Sequence, residues 1–194
     1  MPRIVVILFI VSFLFSCNTK QNSSTQEVVQ QEDAINKVKE PYFPVTNYLK
    51  GQINEVKHIG VNPIKYVTVK NITDSSWLKL EDFDKEFEPF LEPVIDTSGI
   101  SHLFSESKFL DQTLNTYTFT YDPEGQLSDD IALQHWDVYV NPKTDQVTRI
   151  YILKKAPDNK ILQLTWQSNK WCKIVTLSND KSAIEKEVLI KWDF

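Results

Sequence analysis

The chain has 194 residues, 41% of them hydrophobic and 12% aromatic, so it is long and apolar enough to bury one good core. Its 21 Lys and Arg against 26 Asp and Glu give a formal net charge of −5, which leaves no basic footprint for nucleic acid and no polybasic patch for anionic lipid. With four glycines in all and no long glycine- or proline-rich linker, the folded part reads as a single domain.

At the start of the chain, Arg3 precedes an apolar run from Ile4 to Phe15 that only Ser12 interrupts. Such a run is shorter than the roughly 20 residues a bilayer requires and matches the roughly 7 to 15 of a signal-peptide core. Leu14-Phe15-Ser16-Cys17 resembles the lipobox of bacterial lipoprotein precursors, although Phe15 is larger than the residue usual there. The resemblance implies cleavage after residue 16, a diacylglyceryl group on Cys17, and an envelope protein held to the membrane by its lipid. Asn18, rather than an aspartate, after the cysteine favours the outer membrane under the sorting rule of many Gram-negative lipoproteins. With Cys17 acylated, Cys172 is the one remaining thiol, and it reads as a small buried hydrophobe in a strand. Residues 1–16 are therefore expected to be the signal peptide, 17–40 the lipidated cysteine and a polar tether, and 41–194 the domain.

In the domain, Pro44 suits a first helical turn, and Val45, Tyr48, Leu49, Ile53, Val56 and Ile59 fall on one helical stripe that Gly60 ends. Pro63 to Asn71, rich in β-branched and aromatic residues, predicts a strand. Leu80, Phe83, Phe87, Phe90 and Leu91 mark a second amphipathic helix, limited by Pro89 and Pro93. From there the period is two. Thr116 to Tyr121 alternates threonine with aromatic residues. His135–Val140 and Val147–Lys154 flank a turn at Asn141–Asp145, in a register that sets Asp137 opposite Arg149 and Trp136 opposite Ile150. Ile161–Trp166 and Trp171–Leu177 flank Gln167–Lys170, opposing Trp166 to Trp171, and Val188, Ile190, Trp192 and Phe194 alternate to the end. The expected fold is α+β: two N-terminal amphipathic helices with one intervening strand, packed on a C-terminal antiparallel meander of about five strands.

The chemistry is sparse. His58, His102 and His135 are scattered, with no metal-ligand spacing, and His58 sits where it would cap the first helix. His135, Asp137 and Tyr139 share one strand face and form the best acid–base constellation, with an Asp137–Arg149 ion pair as the plainer alternative. Ser128-Asp129-Asp130 and the acidic run Glu81 to Glu88 lack the glycine turn of a calcium loop. The chain lacks GxSxG, GxGxxG, a phosphate loop and CxxC, so no cofactor is expected. Tyr117, Phe119, Tyr121, Trp166 and Trp171 are the candidate ligand or partner contacts. The expected function is a non-catalytic envelope module that docks a protein partner by a sheet face or by the Thr116, Thr118 and Thr120 side. The alternatives are a carrier or sensor of an apolar ligand, and a hydrolase using His135 and Asp137. A carrier requires a cavity of about 300 Å³ or more beneath the sheet.

Overall fold

Chain contacts divide the protein into Met1–Lys39 and Glu40–Phe194. The structure, a computed structural model, describes residues 42–193 apart from 59, 61, 98 and 182. Cys17, the leader and the tether lie outside the described residues.

Among the described residues, one antiparallel sheet of nine strands carries two α-helices, which corrects the expected five-stranded meander. Helix α1, Val45–His58, buries Val45, Leu49, Ile53 and Val56 on the predicted stripe. Gly60 follows at φ 75, the left-handed conformation that glycine adopts without steric cost. The hairpin of β1 (Ile64–Val69) and β2 (Ile72–Trp77) turns on Lys70 and Asn71, both at positive φ, as a tight two-residue hairpin turn requires. Helix α2, Phe83–Leu91, comes after that hairpin, so the helices are not both N-terminal and two strands separate them. Then β3 (Phe104–Asp111), β4 (Thr116–Pro123), β5 (Leu133–Val140), β6 (Val147–Lys155), β7 (Ile161–Gln167), β8 (Trp171–Leu177) and β9 (Ile184–Lys191) run as an uninterrupted meander.

The strand order is β2-β1-β9-β8-β7-β6-β5-β4-β3, so the early hairpin adds to the far side of the last strand. The strands that sequence pattern misses are the two edges. In β2, Ile-Thr-Asp-Ser-Ser-Trp, every residue is exposed, and in β3 only Phe104 is buried. Edge strands with one bare flank carry polar residues on both faces, which erases the alternation that identifies inner strands.

Both helices lie on one face of the sheet, the inner face. Phe87 and Phe90 of α2 stand edge-on to Trp166, with ring centroids 5.6 and 5.4 Å away, and Trp192 completes the cluster at 5.1 Å from Trp166. A second cluster stacks Tyr121 on Trp136 at 4.6 Å, with Phe104 at 4.7 Å from Trp136. α2 is also tied by charge. Lys154 occupies an inner-face position where the run Ile150, Ile152 predicts another hydrophobe, and its buried ammonium donates to Pro89 O (2.6 Å) and Glu92 O (2.5 Å). It thereby satisfies carbonyls orphaned at the helix C-terminus, at the negative end of the dipole. Burial pushes the Lys154 ammonium pKa down, against Glu88 and Glu92, which raise it.

Two registers differ from the expected ones. Across β5 and β6, Asp137 faces Tyr151, Trp136 faces Ile152, and Arg149 faces Tyr139, because the turn spans Asn141 to Gln146 and an extra residue, Thr148, bulges from β6. Across β7 and β8 the turn is one residue shorter than predicted, with Asn169 at φ 62. Trp166 therefore pairs with Cys172, and Gln167 with Trp171. A slip of one residue changes face. Trp166 is fully buried beneath the helices, while Trp171 stands half-buried on the outer face beside Lys173, Leu189 and Lys191.

Candidate functional site

The inner face extends beyond the helices into a half-open groove of about 590 Å³. Its floor is Phe119 and Tyr121 of β4 with Val138 and Val140 of β5, residues that share a face by strand alternation. Tyr42, Phe43 and Pro44, the lead-in to α1, form one wall, and Val147 begins the opposite one. The lead-in is pinned at several points. The Tyr42 hydroxyl donates to Phe104 O at 2.5 Å, Tyr48 bonds Ser168 at 2.8 Å, and Thr46 exchanges hydrogen bonds with Ile95.

The polar residues that line this groove are Thr97, Glu106 and Asp145, with the hydroxyl-bearing Tyr42 and Tyr121. Burial holds the Tyr121 phenol well above its usual range, aided by its bond to Glu106. The Lys108 ammonium lies 4.3 Å from the Tyr117 ring centre and 4.9 Å from that of Phe119, at the margin. Of the five aromatic residues marked from sequence, Phe119 and Tyr121 line the groove, Tyr117 continues their row, Trp166 is core, and Trp171 is on the other face. Sequence pattern had no means of naming Tyr42, Phe43, Val140 or Val147, which meet the others only through long-range folding.

The outer face carries the His135 constellation. His135 Nδ1 lies 2.7 Å from Asp122 Oδ1 and Nε2 lies 3.1 Å from Asp137 Oδ2, so each ring nitrogen faces a carboxylate. The bond to Asp137 raises the His135 pKa, burial opposes it, and Asp122 adds to the rise. At Asp137 burial pushes upward. The bonds from His135, from Thr120 at 2.6 Å and from Tyr139 at 3.2 Å outweigh it, and the carboxyl pKa ends below its usual value. A carboxylate occupies the hydrogen-bonding direction of each ring nitrogen, and the two carboxylates lie at opposite ends of the ring rather than converging on a point. The expected Asp137–Arg149 pair does not form. Arg149 instead lies over the Tyr139 ring at 3.9 Å.

The remaining candidates are local. His58 Nδ1 lies 2.7 Å from Asn54 O at the end of α1, and His102 Nδ1 lies 2.9 Å from Gly99 O. In the acidic run, Asp84 pairs with Lys57, Glu86 with Lys65 and Glu81 with Lys79, while Ser128 donates to Asp130. Among the described residues no group of three His, Cys, Asp or Glu is arranged to hold a metal, and no helix is long and apolar enough to cross a membrane. Compared with known proteins, the chain matches no family model, no curated protein and no solved structure.

Proposed function

We propose that this chain is a lipid-anchored envelope protein whose domain carries or senses an apolar small molecule, held in the groove between β4, β5 and the lead-in to α1. The observation that carries this is the groove itself. Its volume of about 590 Å³ falls within the roughly 300 to 1,000 Å³ of small-molecule sites, and its lining is mostly apolar. Two carboxylates in that lining, Glu106 and Asp145, favour a ligand with a neutral or cationic end over a fatty acid.

The experiment is a fluorescence titration of the purified protein with the uncharged probe N-phenyl-1-naphthylamine. Saturable binding with one site per chain is expected, and Val140→Arg, which fills the groove from a half-buried position, abolishes it while leaving the circular dichroism unchanged. Dodecylamine is expected to displace the probe better than dodecanoate. A signal that never saturates, or that survives Val140→Arg, overturns the reading.

Docking of a protein partner has one specific support. β2 is an edge strand of the sheet and displays Ile72 (76% exposed) and Trp77 (63%). Protection of the β2 amides from hydrogen exchange in intact envelopes, but not in the purified protein, would be its signature.

A further inference from the structure

The geometry points to a second site, on the outer face, that takes a small carboxylate with an apolar body through Arg149. A recess of about 310 Å³ opens there, with Arg149 and Tyr139 among its lining residues. One transverse row of the sheet supplies most of it. Phe109, Thr118, Tyr139, Arg149 and Gln167 face one another in register across β3, β4, β5, β6 and β7. The bulge in β6 adds Thr148. Consecutive residues of a regular strand point to opposite faces, yet Thr148 and Arg149 both line the recess.

Lys173 meets Glu187 and Lys191 meets Asp193 on this face, whereas Arg149 has no ion pair among the described residues. Its guanidinium is held over the Tyr139 ring and bonds to that side chain, which restricts it, and a guanidinium's five donors exceed that one bond. The Thr118 hydroxyl stands across the recess and makes no hydrogen bond among the described residues. Asp111 also lines it, but its Oδ1 accepts the amides of Thr113 (2.8 Å) and Leu114 (2.9 Å) in its own hairpin. Phe109 of β3 and Leu114 of the β3–β4 turn also line it, 65% and 69% exposed, among the most exposed large hydrophobes of the described residues. A planar fork of donors beside two bare apolar side chains matches a carboxylate that bears an aromatic or short aliphatic group.

The test is isothermal titration of the purified protein with 3-phenylpropionate and with its neutral isostere, 3-phenylpropionamide. The acid is expected to bind at least about tenfold more tightly, the worth of one charge-assisted pair. The inner groove has Lys108 at its margin, so the Arg149→Gln variant decides which of the two sites holds the acid. Arg149→Gln is expected to abolish the preference for acid over amide, Thr118→Val to reduce it, and Phe109→Ser to weaken both ligands alike. Equal affinity for acid and amide in the unmodified protein overturns the proposal, as does the absence of saturable binding. A preference that persists in Arg149→Gln overturns it too.

Discussion

At the scale of single residues, the clearest physical consequence belongs to His135. Its pKa is raised above 6.5 in the fold, so its contribution to stability is complete below about pH 6.5 and is lost as pH rises through the raised value. Asp137 behaves in the opposite sense. Its pKa lies below 3.8, so its contribution is present above that and disappears as pH falls through the lowered value. Stability from this pair is therefore greatest in mildly acidic solution. His135→Gln is expected to lose about 1 to 2 kcal/mol near pH 6, since Asp137 keeps the Thr120 and Tyr139 hydroxyls, and to flatten the decline on the alkaline side. Urea unfolding at a series of pH values reads this directly, and an unchanged profile in the variant would remove His135 from the account.

At the scale of elements, the two tryptophans beside the β7–β8 turn separate because the turn is one residue shorter than the sequence implied. Trp166→Ala is expected to cost about 3 to 5 kcal/mol, because it opens a cavity beneath Phe87, Phe90 and Trp192. Trp171→Ala, on the outer face, is expected to cost about 1 kcal/mol or less. Equal losses in chemical denaturation would mean that both rings share the core. What could be read from the sequence follows the same physics. Helix α1, helix α2 and strands β4 to β9 announce themselves because each buries one face, and burial writes a period of 3.6 or 2 into the chain. Strands β2 and β3 bury almost nothing and left no such mark. The bulge at Thr148 left none either, and together with the longer turn it moves the partners of Asp137 and Arg149 by two residues. Lys154 shows a different limit. A lysine at a core position reads as the end of a strand until the helix carbonyls it serves are in view.

At the scale of the whole molecule, Cys172 reports on both the fold and the anchor. It is fully buried between Trp166 and Ile190 in the sheet register, and burial pushes its thiol pKa well above the usual value, so iodoacetamide is expected to leave it untouched in the native state. After unfolding, protein taken from membranes should titrate one thiol if Cys17 is acylated and two if it is not. Two thiols would remove the lipid anchor from the proposed function. Nine strands linked in near-sequential order place the groove at one end of the inner face, next to the lead-in to α1. Any ligand there would touch the segment through which the domain joins the rest of the chain.

The central claim is that the inner groove binds an apolar ligand. Amide chemical-shift mapping of the isotopically labelled protein with N-phenyl-1-naphthylamine tests it most directly. The predicted result is saturable shifts concentrated at Phe43, Phe119, Tyr121, Val138, Val140 and Val147, with the outer face silent. Shifts centred elsewhere, or none at probe saturation, would contradict it.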